Sequence, residues 1–136
     1  VRTPGILIVR ILLVDDSVRI RSMIQSLLKR EIHDLEEIRE CTSCEEALAL
    51  YSAVSPDWVL MDIKLPGMNG LEGTRCLTSE HPGANIVIVT QYDEPAYRDE
   101  ARMVGARGYV LKDRLEELPG MLRAKQQVNS PAHRND

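Results

Sequence analysis

The strongest constraint on this chain is an alternation. Short strand-like runs at residues 11–14, 35–41, 58–61, 86–89 and 106–111 are separated by longer stretches with apolar residues at helical spacing. Consecutive parallel strands need a crossover connection, usually a helix, and that crossover has a fixed hand. Strands that alternate with helices therefore specify an α/β fold: a doubly wound (βα)5 five-stranded parallel sheet with helices on both faces.

The intervening stretches differ in clarity. Ile20, Met23, Ile24, Leu27 and Leu28 form an apolar stripe, with Asp16 or Ser17 available to cap its start. Ser43 and Glu46 have capping-box spacing ahead of Ala47, Leu48 and Tyr51. A third helix, from Leu71 to about Ser79, is expected more from its position than from its pattern. Tyr97, Ala101 and Val104 mark a fourth, with Gly105 placed to cap its end. A fifth runs from Leu115 towards Val128 through Leu118, Met121 and Leu122. Pro119-Gly120 inside it must either kink it or delay its start to about residue 119.

A length of 136 residues suits one domain. The expected division is an N-terminal extension at 1–9, the domain at 10–128, and a tail or the start of a linker at 129–136. The opening apolar residues lack the basic flank and cleavage site of a secretion signal, and no apolar run reaches membrane-spanning length. Three cysteines in a chain that needs no disulfide point to a reducing, cytoplasmic setting. A formal charge of −4 without a basic stripe argues against direct nucleic-acid binding.

In a doubly wound sheet, chemistry gathers outside the carboxyl ends of the strands. Asp15, Asp16, Asp62, Thr90 and Lys112 all follow strand runs directly. Carboxylates brought together there would repel unless a cation sat among them. With no histidine or cysteine near those strand ends, the expected cation is Mg²⁺, which takes oxygen ligands. A carboxylate, a hydroxyl and an ammonium around such an ion suit phosphoryl transfer onto Asp62: Lys112 would offset charge and Thr90 would hydrogen-bond a transferring oxygen. A metal-dependent phosphatase or hydrolase would further need a general acid or base, and none is evident.

The ordered set Asp15-Asp16, then Asp62 with Pro66 and Gly70, then Thr90, Tyr109 and Lys112 resembles the receiver domain of bacterial two-component response regulators from Arg10 to about Gln127. The resemblance implies a flavodoxin-like strand order 2-1-3-4-5. It also implies Asp62 as phosphoacceptor from a sensor histidine kinase, and Mg²⁺ ligation by Asp15, Asp16, Asp62 and the Lys64 backbone carbonyl. Thr90 becomes the switch hydroxyl, Tyr109 the rotating switch aromatic and Lys112 the phosphate-binding lysine. Residues 105–113 resemble in particular the subclass that precedes a LuxR-type helix-turn-helix, which implies control of transcription through an output domain. Asp113 stands where many other subclasses have proline. The expectation is a receiver taken from a longer regulator; the alternatives are a stand-alone receiver or one that acts by protein contact without normal phosphorylation.

One departure from the family is Gln91, where a small residue commonly follows the switch hydroxyl; its bulk is expected to affect access to the acyl phosphate. Lys64 and Tyr92 flank the approach of water in the family picture and, with Gln91, are expected to tune dephosphorylation. The fourth helix, fifth strand and fifth helix carry Arg98, Arg102, Arg107, Arg114 and Arg123 among several acids. That face is either a solvated surface or, as in the family, a homodimer or output-domain contact. Tyr109 also has a plainer reading as strand packing. Trp58 reads as an apolar filler facing a helix. Cys41 and Cys44 have the spacing of half a zinc or redox motif, but no second ligand pair follows.

Overall fold

A computed structural model describes residues 9–128. The chain runs β1 (Val9–Val14), α1 (Val18–Glu31), β2 (Leu35–Cys41), α2 (Cys44–Val54), β3 (Trp58–Met61), α3 (Gly70–Glu80), β4 (Ile86–Thr90), α4 (Pro95–Met103), β5 (Gly108–Leu111) and α5 (Leu118–Val128). All strand pairs are parallel, in the order β2-β1-β3-β4-β5, as expected. Strand β1 takes in Val9, one residue inside the span read as an extension. The rest of that extension and the tail lie outside the described residues.

Side chains alternate across a strand, so each strand feeds both faces of the sheet. Leu12, Val14, Val59, Met61, Ile86 and Ile88 pack on one side with Ala47 of α2, Leu77 of α3 and Ala101 of α4. Ile11, Leu13, Leu60, Val87, Val89 and Val110 pack on the other with Ile24 and Leu28 of α1 and Leu118 and Leu122 of α5. Trp58 belongs to this second group and is buried, which bears out its reading as a filler. Strands β3 and β4 are buried along their whole length, as expected of central parallel strands, whereas the edge strand β2 is mostly exposed or half-buried.

The helix starts follow local chemistry. Ser17, not Asp16, caps α1: its hydroxyl accepts from the Ile20 N–H at 3.2 Å. Ser43 accepts from the Glu46 N–H at 3.1 Å, while the Glu46 carboxylate reaches the N–H of Thr42 at 2.8 Å, one residue short of a reciprocal box. Asn69 caps α3 by accepting from the N–H groups of Leu71 and Glu72.

The start of β5 differs from expectation, and the start of α5 takes the later of the two placements expected for it. Strand β5 starts at Gly108, because the residues before it are still closing α4: Gly105 has φ +106°, and the Ala106 N–H donates back to the Ala101 carbonyl. After β5 the chain makes a 3-10 helix, Lys112–Glu117, interrupted at Arg114. Helix α5 then begins at Leu118. Proline therefore delays the helix, since within a first turn its missing N–H has no partner to lose.

The β1–β3 register pairs Val14 with Met61, so the residues that follow, Asp15 and Asp62, leave the sheet side by side. The β4–β5 register pairs Thr90 with Leu111 and brings Lys112 to the same rim. Gly70 sets the return of the β3–α3 loop: its N–H donates to the Ile63 carbonyl at 2.8 Å, and a Cβ there would lie 1.8 Å from the Asp62 carbonyl oxygen. Gly70→Ala is accordingly expected to lower stability by about 3 kcal/mol in urea unfolding. Gly83→Ala, with open space around it, should leave the midpoint nearly unchanged.

Candidate functional site

The ammonium of Lys112 lies 2.9 Å from an oxygen of Asp15 and 2.9 Å from an oxygen of Asp62. It thereby ties together the ends of β1, β3 and β5. Both acids are buried, and each has its other oxygen fixed by backbone: Asp15 accepts from the Ser17 N–H at 2.8 Å, Asp62 from the Ile63 N–H at 2.7 Å. Their carboxylates are thus oriented from both sides.

Burial and charge compete at this site. Burial pushes the Asp62 carboxyl up, and the Asp15 charge adds to that; the Lys112 hydrogen bond and charge and the Ile63 N–H oppose it without prevailing, so its pKa lies above the usual aspartate value. For Lys112, burial works against the charged form, but the hydrogen bonds and charges of Asp62 and Asp15 outweigh it and its pKa is raised. The lysine is firmly cationic and Asp62 is a carboxylate held in an environment that favours its protonation.

Asp16 is exposed beside them. Asp15, Asp16 and Asp62 each present an oxygen, and these three oxygens lie within 4.8 Å of one another. An all-oxygen set with two buried, oriented members fits a hard divalent cation, because such ions take carboxylate oxygens and retain water on their open side.

The structure also places the other expected site residues. Thr90 is fully buried at the end of β4, its hydroxyl near the N–H of Tyr92 at 3.4 Å. The Tyr109 hydroxyl donates to the Tyr92 carbonyl at 2.5 Å, so Thr90 and Tyr109 meet through the backbone of one residue. Lys64 is exposed, with its ammonium 5.6 Å from the centre of the Tyr92 ring. Gln91 is exposed between Thr90 and Tyr92.

Two contacts were not anticipated from sequence. The Arg98 guanidinium stacks 4.5 Å from the centre of the Tyr109 ring and is itself held by Asp93 at 2.7 Å. Arg21 of α1 donates to the Asp15 backbone carbonyl at 2.7 Å. The sequence signal for Arg21 is its place one turn into α1, near Asp15-Asp16; no local pattern announces Arg98. Cys41 and Cys44 are buried and take no part in the site. Burial pushes their thiols up to about 11 and about 12, and the Cys44 sulfur packs 3.7 Å from that of Met61.

The family model for the response regulator receiver domain matches residues 11–123. The chain is 38% identical over 104 residues to the response regulator GacA of Pseudomonas viridiflava, covering 76% of this chain and 48% of GacA. It is 36% identical over 105 residues to the DNA-binding transcriptional activator DevR/DosR of Mycobacterium tuberculosis, covering 77% and 48%. The chain spans about half the length of these curated relatives. Among solved structures, a two-component response regulator of the LuxR family from Aurantimonas sp. SI85-9A1 superposes with a TM-score of 0.83 at 33% identity, covering 93% of each chain.

The pKa directions fix how stability should vary with pH. Asp62, an acid whose folded pKa is raised, contributes fully below its unfolded pKa, and the contribution is lost as pH rises through the folded value. Lys112, also raised, contributes fully at neutral pH and loses this only at strongly alkaline pH. Asp62→Asn is expected to raise the neutral-pH melting temperature, with the gain shrinking as acid protonates Asp62 in the unaltered protein. Lys112→Ala should instead cost about 1–3 kcal/mol at neutral pH. Thermal melts of the three proteins between mildly acidic and neutral pH test both signs.

Proposed function

The chain belongs to the response regulator receiver domain family, and from that premise we propose that Asp62 accepts a phosphoryl group from the phosphohistidine of a sensor histidine kinase and that the resulting acyl phosphate switches the domain. The observation that carries this reading is the Lys112 ammonium shared by Asp15 and Asp62 with Asp16 alongside. The proposed cofactor is Mg²⁺, held by Asp15, Asp16, Asp62 and the Lys64 backbone carbonyl. When bound it would supply positive charge to the carboxylates and to the phosphoryl oxygens.

The chain's own residues divide the remaining work. An Asp62 oxygen forms the new bond to phosphorus as the bond from phosphorus to the donor imidazole nitrogen breaks, and the imidazole leaves with the electron pair. The Ile63 N–H fixes the plane of the carboxylate. Lys112 is within reach to exchange part of its pairing with Asp62 for a phosphoryl oxygen. Participation of this kind makes the domain a partner in its own modification, not an enzyme acting on a separate substrate.

Thr90 is proposed as the hydroxyl that moves to the phosphoryl group. Its neighbour Tyr92 holds the Tyr109 hydroxyl, so displacement of this segment releases or redirects Tyr109. The Arg98 contact then carries the change to the face formed by α4, β5 and α5, the proposed site of homodimer or output-domain contact. Relatives named as DNA-binding regulators favour transcription as the output, through contacts other than nucleic-acid binding by this chain. No helix of the described residues is long and apolar enough to cross a membrane.

Incubation with a small-molecule phosphodonor and Mg²⁺ should add the mass of one phosphoryl group, and both Asp62→Asn and chelation of the metal should abolish the gain. A receiver that works without phosphorylation would show no gain at all. Lys64→Ala and Tyr92→Ala should each change the lifetime of the acyl phosphate, by up to about tenfold, equivalent to ~1.4 kcal/mol in the hydrolytic barrier. Gln91→Ala should change it through access alone. An unchanged lifetime in all three would remove these residues from any rate-tuning role.

A further inference from the structure

We propose that Arg21 is a positioning residue for the acidic cluster, acting through the peptide unit that joins Asp15 to Asp16. The Arg21 side chain is only 13% exposed. One guanidinium nitrogen donates to the Asp15 carbonyl at 2.7 Å, and another donates to a Glu40 oxygen at 2.5 Å. The second Glu40 oxygen accepts from the Gln25 side-chain amide, one turn further along α1. Glu40, near the end of β2, is therefore clamped by two side chains of α1 and in turn fixes the direction of the guanidinium.

The consequence falls on Asp16. Among the described residues no hydrogen bond or ion pair holds its carboxylate, in contrast to Asp15 and Asp62, which Lys112 and backbone N–H groups orient. The plane of the preceding peptide bears on the Asp16 backbone and hence on the direction in which its side chain leaves the chain. The carbonyl of that peptide is the atom Arg21 grips. The Asp15 N–H is pinned as well, to the Cys41 carbonyl at 3.1 Å, so the loop is held at both ends of Asp15 by groups tied to β2. With Asp16 directed this way, the three carboxylate oxygens are gathered before any cation arrives; without Arg21 the Asp15 carbonyl loses this anchor and more of the ordering must be completed on binding.

The inference rests on the reading of Asp15, Asp16 and Asp62 as the divalent-cation site. It predicts that Arg21→Ala weakens Mg²⁺ binding, with no phosphodonor present, by about tenfold in a calorimetric titration. Arg21→Lys, which retains charge but loses the fork, should lie between the two. Glu40→Ala should weaken binding less than Arg21→Ala, and the double variant should be no worse than Arg21→Ala alone, since both act through one hydrogen bond. Ile24→Val, a mild lesion in the same helix at a buried position, controls for general loosening and should leave Mg²⁺ affinity unchanged. Affinity equal to that of the unaltered protein in Arg21→Ala, or in Arg21→Lys if the alanine variant does not fold, overturns the proposal, as does an equal loss in Ile24→Val. Asp16→Asn separates the two levels: if it leaves Mg²⁺ affinity intact, the cation-site reading itself is wrong, whereas a large loss there with none in Arg21→Ala removes only the role of Arg21.

Discussion

Two carboxylates on adjacent strand ends, Asp15 and Asp62, share a small buried space because the Lys112 ammonium stands between them, 2.9 Å from an oxygen of each. At close range in a medium of low polarity, like charges repel strongly and one of the two acids would otherwise take up a proton. The lysine does not remove that tension. Burial still drives the Asp62 pKa upward against it. The geometry that makes the contact available comes from the sheet: the parallel order β2-β1-β3-β4-β5 lays the ends of β1 and β3 side by side and brings the end of β5 to the same rim.

Around this contact the backbone is used as framing. Gly70 comes so close to the Asp62 carbonyl that no side chain fits, and the Ser17 and Ile63 N–H groups each hold one carboxylate oxygen. Fixing an acid by main-chain donors leaves its orientation independent of mobile side chains. On the far side of the rim the arrangement is looser. Tyr109 is half-buried, joined to the β4–α4 segment by one hydrogen bond and covered by Arg98, whose own partner Asp93 is exposed. An acidic centre held by several hydrogen bonds beside an aromatic held by one is an arrangement that suits the two-state switch proposed above.

The parts legible in the sequence are those governed by short-range rules. Strands β2 and β3 fall where the apolar and turn signals place them, and the start of α2 follows from Ser43 alone. Helix α3 gave a faint pattern because its buried side includes Gly70, Gly73 and Thr74, chosen for close approach and not for hydrophobicity: a Cβ on Gly73 would lie 2.3 Å from the Cys44 sulfur. The start of β5 was misplaced because Ala106 and Arg107 look like strand residues, yet their N–H groups close α4 and bond the Ile86 carbonyl. In the site, Asp15, Asp62, Thr90 and Lys112 announce themselves by following apolar runs. Arg21 and Arg98 do not, since an arginine on an amphipathic helix reads as solvated surface until its long-range partner is known.

Charge accounting links the centre to the aromatic. Asp15, Asp16 and Asp62 with Lys112 leave an excess of two negative charges, the complement of one divalent cation. In the proposed reaction the Asp62 carboxylate charge is replaced by the phosphoryl group, which carries about 1.5 to 2 negative charges at neutral pH. The centre therefore gains negative charge at the point where it is already burdened. Lys112 is committed to Asp15 as well as to Asp62, so it can meet only part of the increase. The hydroxyl proposed to meet the rest is that of Thr90, which is buried and whose present contact is the Tyr92 N–H. Any demand placed on Thr90 is thus a demand on the residue whose carbonyl holds Tyr109. In the proposed switch, that shared residue is the route by which a change at the acid would reach Tyr109.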